Sequence, residues 1–460
     1  MSSVGTSAKT KGNSIDMLHG PLLMKILKFS IPLAASSILQ QLFNSVDVAV
    51  VGQFVGSKAL AAVGSNSPVI SLLINLFMGV SMGANSVIAN HLGRHDNEGV
   101  RQAVSTTVVV ALASGVLLMV LGVVVARPIL ELMGTPPDVL DMAVLYLRIY
   151  FLGMPFFMMF NFCAAIMRST GDTRRPLYIL VVSGVVNTVL NLVFVLCFGL
   201  GVEGVAIATG VANAVSATII LRMLLGESEP LKVHLESLKV HKAQLRRMLQ
   251  IGVPAGIQGM VFSLSNVFVQ STINGYGAEA IAGSAAALNF EFYCYFVIAA
   301  FDGAAISFIG QNYGAGLTSR VRRVFGICMW LSVVSCAALN VMFTMGHDFF
   351  LGLFSGDAAV KAYGSVRMHW VLVFQWVACS YEIAGSSLRG MGKSMTPAVL
   401  TIVGTCLLRI AWVYTVCPAW HGFEVLMLVY PVSWTVTGVM VLCAYFAAMR
   451  RCPKESTTAA

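Results

Sequence analysis

A helix that crosses the hydrocarbon core of a bilayer needs about 20 apolar residues, because lipid offers no partner for a backbone group left unpaired. Twelve stretches of this chain qualify, at approximately 26–50, 59–83, 102–127, 138–163, 176–199, 203–225, 248–272, 280–307, 324–347, 360–385, 397–417 and 425–449. Such a chain is expected to be an all-α integral membrane protein. Of its 460 residues, 57% are hydrophobic and 11% charged, which excludes a disordered, collagen-like or disulfide-scaffold chain. The ten cysteines contain no C-x-x-C pair and read as free thiols packed as small apolar groups. Residues 1–20 are polar and the first apolar stretch carries Asn44 and Asp47, so no cleavable leader is expected. Pro155 and Pro431, inside apolar stretches, predict kinks; Pro32 and Pro254 fall in first helical turns, where proline is tolerated.

The net charge of +9 could suggest a polyanionic partner, but the positions of the basic residues point to one side of a membrane instead. The two tails and the even-numbered connections hold 23 Lys and Arg. The odd-numbered connections hold only Lys58, Arg127, Lys361 and Arg367, with Arg148 and Arg409 inside helices. Basic residues concentrate on the cytoplasmic side, so both termini are expected there, in a multi-pass plasma-membrane protein with no nucleic-acid partner. The expected division is a tail at 1–24, a six-helix lobe at 25–225, a basic linker at 226–247, a second lobe at 248–449 and a tail at 450–460. Arg222, Lys232, Lys239, Lys242, Arg246 and Arg247, in and around the linker, read as positive-inside charge or as a surface against anionic lipid.

The chain also repeats itself. Gly56 and Gly277, Gly93 and Gly314, Arg101 and Arg322, Arg168 and Arg389, Gly171 and Gly392, Pro176 and Pro397, and Glu203 and Glu424 all lie 221 apart. Six helices separate the copies, an even number, so the halves share one orientation and are parallel repeats about an axis along the membrane normal. Substrate would sit between them.

The residues that carry the repeat resemble the multidrug and toxic compound extrusion (MATE) family over roughly 20–450. The most specific elements are Pro32 followed by Gln40, Asn44, Asp47 and Gly52, then MRSTGDTRRP (167–176), GVEGVAIAT (201–209), GQNYGAG (310–316) and LRGMGKSMTP (388–397). The resemblance implies two six-helix bundles around a V-shaped cavity. It also implies export of organic, usually cationic, compounds against incoming protons or sodium ions.

Gln40, Asn44 and Asp47 fall at i, i+4 and i+7, one stripe of the first helix. An acid at membrane depth is costly unless it faces protein or water, so Asp47 must look into the bundle. It either glues helices together or binds the coupling ion, and it matches the family's coupling acid in this helix. Ser183, Asn187 and Asn191 share a face of the fifth helix. Many family members have an acid at the place of Asn191, so a two-carboxylate site is in doubt here. Asn187, Asn191 and Thr209 are then neutral oxygen partners for Asp47, or helix-packing amides. The repeat mate of Asp47 is Val269, whereas Asn44 is matched by Asn266. In the second lobe Gln375, Cys379 and Glu382 are expected on one stripe of the tenth helix, with Arg409 deep in the eleventh. Glu382 and Arg409 either neutralise one another or present a carboxylate to a cationic substrate. The helix-7 acid of some family branches has no match, only Gln258. Glu291 and Asp302 are weaker candidates. Substrate contacts are thus expected from Gln40, Asn44, Gln258, Gln375, Glu382 and Arg409, with Met78, Phe156, Phe157, Met158, Met159, Phe292 and Tyr293 as candidate cavity walls or ordinary packing.

Three enzyme-like strings carry little weight. Gly79-Val-Ser81-Met-Gly83 sits in an apolar helix, where small residues serve close helix contact. Gly199-x-Gly201-x-x-Gly204 lies in a short connection with no room for a βαβ unit, and Gly392-Lys393-Ser394 lacks the first glycine of a phosphate loop. No catalytic pair and no metal-ligand spacing is visible, so neither an enzyme nor a resident cofactor is expected; the coupling ion, proton or sodium, is cargo. A monomer is expected. The alternative transporter, a lipid-linked oligosaccharide flippase of the related superfamily, should line its cavity with several Arg or Lys, whereas only Arg409 reads as deep.

Overall fold

The computed structural model describes residues 14–452; the outer parts of both tails lie outside the described residues. Among the described residues, eleven helices are long and apolar enough to span a membrane. The pair Pro137–Leu152 and Met154–Ser169, bent by 46°, completes a twelfth span. The spans are α1 (Leu22–Val55), α2 (Lys58–Gly93), α3 (Asn97–Leu132), α4 (the bent pair), α5 (Arg174–Cys197) and α6 (Val202–Leu225). They continue as α7 (Lys242–Asn274), α8 (Ala278–Gly314), α9 (Thr318–Met345), α10 (Ala358–Gly390), α11 (Met395–Ala419) and α12 (Phe423–Arg450). Each overlaps one expected stretch, and no strand occurs among the described residues.

The bend in α4 falls at Gly153 just before Pro155, whose missing N–H prevents the ladder from continuing. α12 is likewise interrupted at Leu428, three residues before Pro431. α10 breaks without a proline: a widened turn over Met368–Leu372 runs into a tight turn over Gln375–Ala378 before regular helix resumes at Cys379. Gln375, Cys379 and Glu382 therefore do not form the continuous stripe that ideal helical spacing predicts.

The repeat has a conformational basis. Gly56 and Gly277 have φ of 114° and 99°, and Gly171 and Gly392 have 91° and 80°, a region that side-chain-bearing residues rarely adopt. Each pair turns the chain at the same place in its half.

Two large apolar cores account for the two bundles, with an exchange at their boundary. Leu22, Ile26 and Phe29, at the start of α1, join the core built from α8 to α12, where Phe29 meets Phe308 edge-on at 5.7 Å. Met248 and Ile251, at the start of α7, join the core built from α2 to α6. α1 and α7 are repeat mates, so each half lends its first turns to the other.

The bundles meet on the face where the described chain ends emerge, called here the basic face. A Cβ on Gly79 would lie 2.3 Å from Gly256 N, and one on Gly256 would lie 2.4 Å from Leu76 O. On Gly93 it would lie 1.9 Å from Gln311 O, and on Gly314 2.2 Å from Asn90 O. Lipid supplies no hydrophobic drive between helices, so contact depends on such close approach and on interhelical hydrogen bonds. The bonds are present: Asn85 Nδ2 donates to Ser307 Oγ at 3.1 Å, Ser86 Oγ to the Arg389 carbonyl at 2.8 Å, and Gln311 Nε2 to the Ser169 carbonyl at 2.7 Å. All of these lie in the halves of α2, α4, α7, α8 and α10 nearest the basic face. The bundles are thus joined there and form a V-shaped cavity toward the opposite face.

Candidate functional site

Asp47 sits in the outer half of α1, half-buried against α5 and α6. Asn191 Nδ2 donates to Asp47 Oδ1, and Thr209 Oγ1 donates to Asp47 Oδ2 at 3.4 Å. Asn187 Nδ2 donates to Thr209 Oγ1 at 3.3 Å, and Asn191 Nδ2 reaches Asn187 Oδ1 at 3.4 Å. Asn187 and Asn191 lie one turn apart on α5, 5% and 0% exposed, so spacing puts both amides on one face, and the fold turns that face to Asp47 on α1. The Asn191 Oδ1 is buried without a partner beside the carboxylate. The cluster combines one negative charge, a hydroxyl and amide oxygens, a donor set suited to a proton or to a hard cation that takes oxygen ligands. Among the described residues, no basic side chain pairs with Asp47.

Two residues that sequence reasoning missed complete these surroundings. Tyr146 and Tyr150, one turn apart on α4 with rings stacked at 6.0 Å, lie close enough to feel the charge of Asp47. Their spacing of four was the available signal, but nothing local says that this face of α4 meets α1.

Gln40 and Asn44 share the stripe but not the cluster. Both are exposed and without a hydrogen-bond partner among the described residues.

The carboxyl-terminal bundle departs from expectation. Arg409 is 1% exposed but makes no ion pair with Glu382. It donates through Nη1 to Asn266 Oδ1 at 2.8 Å and through Nε to Ser433 Oγ at 3.2 Å, and it lies over the rings of Tyr430 and Phe262. Glu291 instead takes Arg367, with bonds of 2.6 and 3.0 Å. Arg367 had been grouped with the outer connections; it is 3% exposed, at the end of the regular helical segment before the break in α10, and lies against Glu291 and Tyr430. Gln375 donates to the Glu291 carbonyl at 2.9 Å. Glu382 lies within electrostatic range of Asp302 on α8 and of Arg389, and Arg389 donates to Gln258 Oε1 at 2.7 Å. Arg409 is thus not the only deep arginine, but Arg367 and Arg389 each have acids nearby and Arg409 does not. Met158 is fully buried in the core built from α2 to α6, whereas Phe156 and Phe292 are exposed.

Comparison with known proteins decides the family. The MatE family model matches residues 32–193 and 254–415, one match for each half of the repeat. The chain belongs to the MatE family. It is a member of the MATE multidrug efflux transporters. The chain is similar to the probable multidrug resistance protein YoeA of Bacillus subtilis, with 30% identity over 81% of this chain and 82% of that protein. It is also similar to the probable multidrug resistance protein NorM of Thermotoga maritima, with 24% identity over 85% of each. Among solved structures it resembles an outward-facing multidrug resistance MATE family transporter of the MOP superfamily, with a TM-score of 0.87, 21% identity and coverage of 95% and 98%. A MOP superfamily transporter from Pyrococcus furiosus, whose reversed pocket polarity suggests a different function for that protein, aligns with a TM-score of 0.90, 21% identity and coverage of 96% and 99%. At this identity the structural likenesses bear on the fold.

Proposed function

We propose that this MATE protein is a secondary active antiporter of the plasma membrane, exporting amphipathic organic cations in exchange for protons or sodium ions. The observation that carries this reading is the Asp47 cluster, a carboxylate at membrane depth surrounded only by neutral donors and oxygens. An acid without a basic partner is costly in a membrane and marks an ion pathway. In this reading Asp47 takes up the driving ion while the cavity faces outward and releases it when the bundles rock so that the seam at the basic face parts. That face is cytoplasmic, from the positive-inside distribution. If the ion is sodium, Asn187, Asn191 and Thr209 supply oxygens; if it is a proton, Asp47 binds it directly. Organic cations enter the cleft toward Glu382, Gln40 and Asn44.

Arg409, a buried cation without an acid partner, favours a second reading in which an anionic lipid-linked sugar is flipped. The two readings separate in one experiment. In proteoliposomes with proton and sodium gradients imposed separately, a fluorescent cation should move uphill under one of them. If anionic lipid-linked sugars move and hydrophobic cations neither move nor compete, the flippase reading replaces the antiporter.

A further inference from the structure

The linker between α6 and α7 is docked on the basic face. Val233 N–H donates to the Leu224 carbonyl at 3.1 Å, and Leu231 and Val233 bury their side chains in the core built from α2 to α6. Further along, Lys239 N–H donates to Ser105 Oγ at 2.8 Å, Ser105 Oγ donates back to the Lys239 carbonyl at 3.0 Å, and His241 N–H donates to Thr106 Oγ1 at 3.1 Å. The linker so held forms one wall of a cavity of about 210 Å³, and α3 forms the other; its lining includes Arg101, Lys232, His234, Lys239, His241 and Glu98. Glu98 is taken by Arg101 at 2.8 Å and His234 by Glu229 at 2.6 Å, whereas Lys232 and Lys239 have no ion pair among the described residues. The cavity therefore carries unanswered positive charge.

Its depth and flanks point to the occupant. Leu112, 52% exposed and seven residues beyond Ser105 on α3, is an apolar side chain open to lipid. At about 1.5 Å per residue the cavity lies roughly 10 Å outside it, in the headgroup layer. On the linker itself, Leu235 and Val240 are 53% and 44% exposed, apolar side chains beside the two free lysines.

We propose that this cavity binds the phosphate of an anionic phospholipid, with Lys232 and Lys239 on the phosphate oxygens and Leu235 and Val240 in the bilayer interface. A soluble phosphorylated compound offers the same phosphate; the exposed apolar pair favours the lipid. The occupant ties the linker that joins the two bundles to the membrane surface.

The test uses the full chain in detergent, with lipid retention followed by native mass spectrometry and thermal unfolding. Phosphatidylglycerol, phosphatidylcholine and inorganic phosphate are added separately. Wild type should retain phosphatidylglycerol over phosphatidylcholine, and Lys232→Gln with Lys239→Gln should weaken that retention about 30-fold. Arg246→Gln with Arg247→Gln removes the same charge from exposed positions outside the cavity and should leave retention unchanged. Equal loss in both double variants, or equal retention of the two lipids, would overturn the site. Full protection by inorganic phosphate, with Leu235→Ser and Val240→Ser retaining phosphatidylglycerol, would overturn the lipid as its source.

Discussion

Asp47 carries a charge that the amino-terminal bundle answers only with neutral groups. Asp47→Asn keeps the shape and an oxygen to accept from Asn191, so the variant should insert and fold but lose gradient-driven export. Full uphill transport by monodisperse Asp47→Asn protein in proteoliposomes would remove this residue from the mechanism and move attention to Glu382. Glu291 poses the opposite case, because its charge is answered by Arg367 deep in the other bundle. Glu291→Gln leaves Arg367 buried without its partner and should destabilise by about 3–5 kcal/mol, whereas Glu291→Gln with Arg367→Met should recover much of that loss. Thermal unfolding in detergent measures both. Asp47 could be read from the cost of a charge in lipid, and the shared face of Asn187 and Asn191 from helical spacing, whereas their place beside Asp47 was expected only from the family resemblance. The pairing of Glu291 with Arg367 could not be read, because residues 76 apart meet only when α8 and α10 pack together.

Single elements were legible wherever one residue dictates geometry. Pro155 announced the bend in α4, and Gly79 and Gly83, read as small residues for close contact, do sit against α7. The break in α10 carried no such mark, and the stripe expected over it failed for that reason. Gly93 and Gly314 show how closely α2 and α8 approach. Gly93→Ala or Gly314→Ala puts a methyl into a carbonyl of the other bundle, and overpacking of this kind costs about 1–3 kcal/mol. Hydrogen exchange should rise over residues 86–93 and 307–314 in either variant. Gly326→Ala, with nothing within 4 Å of its added Cβ, should leave these segments protected. Equal exchange in all three would mean that the seam does not hold the bundles together.

For the whole molecule the charge distribution makes an orientation testable. In a background without the ten native cysteines, single cysteines replacing Arg94, Arg174 or Lys239 should be labelled only from the cytoplasm. Those replacing Thr135 or Asp357 should be labelled only from outside. A reversed pattern would invert the proposed direction of transport, since drug must enter from the face that the seam now closes.

The number of spans, their approximate limits and the parallel repeat were determined by the sequence alone, because each rests on local quantities: apolar length, basic residues per connection and the spacing of Gly, Pro and Arg. Asp47 belongs with these, since a charge in lipid is conspicuous wherever it sits. Tertiary structure alone decided which polar groups meet. It placed Tyr146 and Tyr150 by Asp47, gave Glu291 to Arg367, left Arg409 with Asn266 and Ser433, and crossed the first turns of α1 and α7 between the bundles. The physical reason is that a helix in a membrane can turn any face to its neighbours at similar cost in apolar burial. Close glycine approaches and a few interhelical hydrogen bonds then select the arrangement, and those depend on residues far apart in the chain.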